Sequence, residues 1–144
     1  MKKYIKQILI SDFNSTFANF GMLFFRVAVA TELIVVHGLK KLGIGVATAE
    51  VIPNPLGFPE ALNSFMAIAA NVYLPFLIII GLFTRLAALP ALAVTATGYF
   101  IMHGHDPAAM RDIPFMYSVS MLTIILMGPG KYSVDNYISK SINI

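Results

Sequence analysis

Long uncharged apolar runs alternate with short polar breaks along the chain. No charged residue falls between Glu60 and Arg85, between Arg85 and Asp106, or between Asp112 and Lys131. A helix needs about 20 mostly apolar residues to cross the hydrocarbon layer, so these gaps predict spans over 63–83, 86–103 and 113–128. An equally apolar run over 17–38 carries Arg26 and Glu32 and makes a further span. The last two spans are short, and local thinning of the bilayer is expected around them. Stretches such as 76–80 and 89–94 lack the polar stripe that a helix on a soluble core would carry. The pattern therefore predicts an all-α protein: one transmembrane domain, a four-helix transmembrane bundle.

The breaks order the spans. The longest connection, over 40–62, holds Gly43, Gly45, Pro53, Pro55, Gly57 and Pro59. Proline fixes its own backbone and disfavours helix in the residue before it, so this stretch is turn or extended structure. Ile44, Val46, Val51, Ile52, Leu56 and Phe58 make it apolar as well, which sets it at the membrane interface or folded over the bundle. Pro59 suits the first turn of the next helix. A tight turn at Thr84-Arg85 makes the second and third spans antiparallel neighbours, Asp112-Ile113-Pro114 reads as a helix start, and Gly128-Pro129-Gly130 ends the fourth span. The tail after Lys131 is polar and is expected on the membrane surface. Lys2, Lys3 and Lys6 resemble the start of a signal peptide, but the apolar run begins late and is too long, so it reads as a retained span.

Composition supports the membrane reading. Of 144 residues, 58% are hydrophobic and 12% charged, against about 25% charged in an average soluble domain. The absence of cysteine excludes disulfides, thiol relays and cysteine–metal ligation within the chain. The net charge of +3 includes no basic patch interleaved with aromatics, so nucleic acid is not an expected partner. Lys2, Lys3, Lys6, Arg85, Lys131 and Lys140 fall on one side, and Lys40, Lys41 and Arg111 on the other. This bias favours cytoplasmic termini. Ala67, Ala70, Asn71 and Leu74 form one stripe of packing positions, and Ala88, Ala91, Thr95 and Gly98 another.

Arg26 and Glu32 carry the most information about function. A charge near the bilayer centre costs at least ~2.5 kcal/mol, so each should face a partner. Arg26 and His37 lie eleven residues apart, which on a regular α-helix puts them on one face, whereas Glu32 points elsewhere. Asn71, Tyr73, Tyr99, Tyr117, Ser120 and Thr123 are the available partners. Two readings follow: a polar pocket holding a headgroup, a quinone or a small substrate, or a structural clasp with Arg26 or Glu32 reaching an interface. His37 and His103 close their spans at the same face, near His105, Asp106, Glu50 and Glu60, but no specific ligand spacing is present and no metal site is expected. His37 reads instead as a hydrogen-bonding residue at a pocket mouth.

Five segments stand out: Arg26-Val27-Ala28-Val29-Ala30, Val36-His37-Gly38-Leu39-Lys40-Lys41-Leu42, Ile52-Pro53-Asn54-Pro55-Leu56-Gly57, Gly81-Leu82-Phe83-Thr84-Arg85-Leu86-Ala87-Ala88 and Gly128-Pro129-Gly130-Lys131-Tyr132-Ser133-Val134-Asp135. Together they resemble the DoxX family of small four-helix bacterial membrane proteins. They occur in order over about residues 20–137. The resemblance implies a protein of the bacterial inner membrane, in a family named after a subunit of a quinone-coupled sulfur oxidation system. Members commonly carry a glutamate in the second span where this chain has Asn71, and an amide cannot carry a proton as a carboxyl does.

The leading expectation is a redox-linked subunit binding a quinone or small sulfur compound in an intramembrane polar pocket. The pocket candidates are Arg26, Glu32, His37, Asn71, Tyr99, His103 and Tyr117. The chain has no intrinsic cofactor motif, so any cofactor would be a bound quinone, and catalytic residues are not assigned. The alternative is a non-catalytic scaffold for an oxidoreductase complex, and the third reading is a small-molecule permease. Expected partners are the lipid bilayer, membrane or extracytoplasmic oxidoreductase subunits, and further copies of the chain.

Overall fold

A computed structural model describes residues 15–142. Lys2, Lys3 and Lys6 lie outside that range. The described residues form four long helices, each apolar enough to cross a membrane: α1 (Thr16–Lys41), α2 (Glu60–Ile80), α3 (Thr84–Met102) and α4 (Ala108–Met127). A short helix, α5 (Val134–Ser141), follows. Among the described residues there is no strand.

Local chemistry sets the helix ends, and several differ from the sequence expectation. Ser15 caps α1 by accepting from the amide of Ala18 at 3.1 Å. α2 begins directly after Pro59 and stops where Gly81 turns left-handed at φ 75°. The turn between α2 and α3 is therefore 81–83, and Thr84 and Arg85 already belong to the helix. α4 starts directly after Pro107, ahead of the expected start at Asp112, and carries Pro114 inside it. Pro114 withholds only one donor, from a carbonyl in the first turn, which leaves the helix intact. With 20 residues in α4 and 19 in α3, these spans are about 30 Å and 28 Å long. Neither needs a thinned bilayer.

α3 packs on both α2 and α4, and α1 packs on α2. α1 and α4 meet only lightly, so a groove opens between them. The shared core holds Ala30, Leu33, Ile78, Ala87, Ala88, Ala91, Met121 and Ile124. The expected small-residue stripes are in it or beside it: Ala70 and Ala88 are fully buried, and Ala67, Asn71, Ala91 and Thr95 nearly so. Short side chains let the backbones close up in lipid, where water no longer drives helices together.

Three spans contain a wide π-turn, at Leu33–Gly38, Ala69–Tyr73 and Gly98–Met102. In α2 the cause is readable. Pro75 has no N–H for the carbonyl of Asn71, four residues earlier, so the regular ladder cannot run through that turn. The Asn71 carbonyl lies against α1, where a Cβ on Gly38 would come within 2.5 Å of it and 2.9 Å of Val72 Cγ2. The π-turns of α1 and α2 thus meet at a glycine that nothing larger can replace without moving backbone.

Gly38→Ala should lower stability by about 1–3 kcal/mol through this overpacking. Gly21→Ala, on an open face of the same helix with nothing within 4 Å of the added carbon, should be neutral or slightly stabilising. Unfolding of both variants in detergent micelles checks the contrast.

Candidate functional site

The two intramembrane charges have different fates. Arg26 is 1% exposed. Its guanidinium donates to the carbonyls of Ile78 at 2.5 Å and Ile79 at 2.6 Å, at the end of α2, and to Tyr132 at 2.5 Å in the tail. The last carbonyls of a helix have no intrahelical donor, and in lipid there is little water to supply one. Arg26 therefore caps α2 from a neighbouring helix and holds the tail to the same point. Gly81 leaves room for it, since a Cβ there would stand 2.8 Å from the guanidinium.

Asp135 performs the reciprocal task for α3. Its carboxylate accepts from the amides of Phe83 at 2.7 Å and Thr84 at 3.0 Å, and from the Thr84 hydroxyl at 2.9 Å. It is the N-cap that α3 lacks in its own sequence, supplied from fifty residues away. Its own amide donates to the carbonyl of Gly81 at 2.8 Å. Further up α1, Asn19 accepts from the amide of Lys131 at 2.8 Å. The tail is thereby fastened to α1, α2 and α3 at one end of the bundle. Sequence reasoning missed Asp135, Thr84 and Tyr132 here. Asp135 did stand in the closing segment that carried the family resemblance, and this contact is what it does.

Glu32 has no such partner. It makes no hydrogen bond or ion pair among the described residues, and it faces the groove between α1 and α4. The groove encloses about 360 Å³ and is lined by Ala28, Val29, Glu32, Met116, Tyr117 and Ser120. Tyr117 and Ser120 sit midway along α4, which places the carboxyl near the middle of the span. His37 stands edge-on to Tyr117, with ring centroids 5.2 Å apart. On a regular α-helix residues five apart diverge. The π-turn after Glu32 is widened so that position i lies close above i+5, and Glu32 and His37 both turn toward Tyr117. The same turn is why Arg26 and His37 do not share the face expected from regular spacing.

The remaining candidates lie apart from the groove. Asn71 is buried and bonds within α2, its amide donating to the Ala67 carbonyl at 2.7 Å. Tyr99 stacks under the Arg111 guanidinium at 4.3 Å and against Phe100 and Phe115. His103 pairs with Asp106 at 2.8 Å in the loop before α4. Among the described residues no three metal-ligating side chains gather in one place. Of the sequence candidates, the structure brings Glu32, His37 and Tyr117 together with Ser120, and it gives Arg26 to the clasp.

Four apolar spans tied by a polar clasp, with a lateral groove holding one acidic side chain, define a small multi-pass membrane protein. The DoxX family profile matches residues 21–104, and the chain belongs to that family. A protein from Haemophilus influenzae described as an uncharacterized protein is 30% identical over 86 residues, covering 57% of each chain. The chain thus spans somewhat over half the length of this curated relative. No solved structure matches it significantly.

Replacing Arg26 with leucine takes the donor from the carbonyls of Ile79 and Tyr132 and leaves Ile78 only the long bond from the Gly81 amide at 3.2 Å, each lost donor worth about 1–3 kcal/mol. The variant should lose several kcal/mol of stability. Asp135→Ala, which removes a cap, should lose about 1 kcal/mol, and Asp135→Asn less, since one amide oxygen still accepts. Denaturant titration of the purified protein in micelles would rank the three.

Proposed function

We propose that the chain is a ligand-binding subunit of the bacterial inner membrane that takes the headgroup of a quinone or quinol into the groove between α1 and α4. The observation that supports this is Glu32. A carboxyl with no protein partner near the midplane costs at least ~2.5 kcal/mol. The terminal nitrogens of Arg26 are committed to three backbone carbonyls, so Arg26 does not serve Glu32. A bound molecule with a hydroxyl donor would supply the missing partner. Tyr117, Ser120 and His37 add hydroxyl and ring-nitrogen groups around it.

The shape of the site favours this ligand over a small sulfur compound. The groove opens sideways between two helices and is walled by Ala28, Val29 and Met116. An apolar tail can lie there along the bilayer while the polar head reaches Glu32. A small hydrophilic molecule gains nothing from such walls and has no route along them. Quinone in this groove would couple the chain to redox enzymes of the same membrane, with electrons supplied and removed by partner proteins. On this reading the termini lie in the cytoplasm, as the lysine and arginine bias favours.

The test is mass spectrometry of lipophilic molecules extracted from the protein purified in mild detergent. Wild type should carry quinone, and Glu32→Leu should lose it while folding normally, because the Glu32 side chain makes no hydrogen bond among the described residues. Quinone retained at wild-type level in Glu32→Leu would refute the site. An empty wild type that copurifies with an oxidoreductase subunit would instead make the chain a scaffold.

A further inference from the structure

α5 is amphipathic, and its two edges are reversed relative to a helix on a soluble protein. Val134, Tyr137 and Ile138 fall at i, i+3 and i+4 and form one stripe, which Ile142 extends just past the helix end. All four are turned away from the rest of the molecule, and Tyr137 is 73% exposed. The half-buried residues of α5 are the polar ones, Asp135, Asn136 and Ser139. Asp135 is bonded to the turn between α2 and α3, and Asn136 donates to the Lys131 carbonyl at 2.8 Å. A soluble domain would bury the apolar stripe and expose the polar one. Here the polar edge is the attachment and the apolar edge needs another cover.

The position of α5 says what that cover is. Asp135 fixes it beside the last residues of α2 and the first of α3, where the lipid-facing surfaces of two spans end. Phe83 at the turn and Leu86 one turn into α3 are exposed and apolar, so the apolar edge of α5 continues a surface that lipid already covers. The first turns of α1, which run beside the tail, also turn Phe17 and Phe20 outward. Arg85 and Lys140 bring positive charge to this end of the bundle.

We propose that α5 is an interfacial helix. It seats Val134, Tyr137, Ile138 and Ile142 in the headgroup–acyl boundary, and Arg85 and Lys140 meet anionic phospholipid headgroups there. The inference is independent of what the groove binds.

The chain contains no tryptophan, so Tyr137→Trp gives a single reporter at an exposed position that the fold does not use. The full chain would be reconstituted into vesicles of phosphatidylcholine and phosphatidylglycerol, with bromine on the acyl chains of one lipid or the other. Brominated chains should quench the emission strongly and aqueous iodide only weakly. Brominated phosphatidylglycerol should quench more than brominated phosphatidylcholine at equal mole fraction, and Lys140→Gln should narrow that difference. Quenching by iodide alone would put α5 in water and overturn the proposal. Protection from both quenchers would overturn it too, since a protein, either a second copy or another partner, would then be the cover. Equal quenching by the two brominated lipids would overturn the anionic assignment.

Discussion

The carbonyls at the end of α2 and the amides at the start of α3 have to be satisfied where water is scarce. That constraint organises one whole end of the molecule. A turn of only three residues, 81–83, separates the two helices; its amides reach back to the carbonyls of Leu77 and Ile78 but not to Ile79, and it offers α3 no side-chain cap. Arg26 reaches in from α1 for the carbonyls, and Asp135 reaches in from the tail for the amides. Among the described residues no carboxylate pairs with the guanidinium directly. Asp135 acts on it as the interacting negative charge while its oxygens serve α3. A cation and an anion are thus both held at this end, with their hydrogen bonds spent on backbone rather than on each other. Breaking either leaves unsatisfied polar groups at the membrane edge, a larger loss than an exposed ion pair would cause.

The clasp also changes what the second intramembrane charge means. With Arg26 committed, Glu32 forms no ion pair among the described residues. The π-turn that follows it swings His37 toward Tyr117, and the groove between α1 and α4 gathers Glu32, Tyr117 and Ser120. On the proposed reading, the wide turns are where the structure trades regular hydrogen bonding for the placement of side chains. The wide turns of α1 and α3 lie in the half of the bundle farthest from the clasp, and that of α2 lies at the middle of its helix. Gly38 shows how closely it is fitted, because the π-turns of α1 and α2 touch backbone to side-chain position there.

Much of the architecture was legible in the sequence. Charge-free gaps of span length mark α2, α3 and α4, an apolar run that carries Arg26 and Glu32 marks α1, and alanines at helical spacing mark the faces that pack. Helix ends were less legible, for a physical reason. α4 begins at Pro107 and tolerates Pro114, whereas a local reading takes the later Asp-Ile-Pro as the start. α3 has no capping signal before it because its cap, Asp135, arrives from the far end of the chain. The site was only partly legible. The spacing of Arg26, Glu32 and His37 was read on a regular helix, and one π-turn rotates His37 away from Arg26 and toward the acid. No residue type announces a π-turn in α1, though Pro75 does account for the one in α2.

A bundle that needed α4 against α1 for its stability could not leave a groove between them. This one does not need it. The core is closed by α2, α3 and the inner faces of α1 and α4, through Ile78, Ala88, Leu33 and Ile124, and the clasp holds α1, α2, α3 and the tail together at one end without help from α4. Separation of α1 from α4 near the midplane therefore breaks no side-chain hydrogen bond among the described residues, only the edge-on contact of His37 with Tyr117. The tightest part of the molecule and the most open part are on different helix pairs. On the proposed reading, the groove admits and releases a lipid-borne molecule while the polar clasp at the other end stays unchanged.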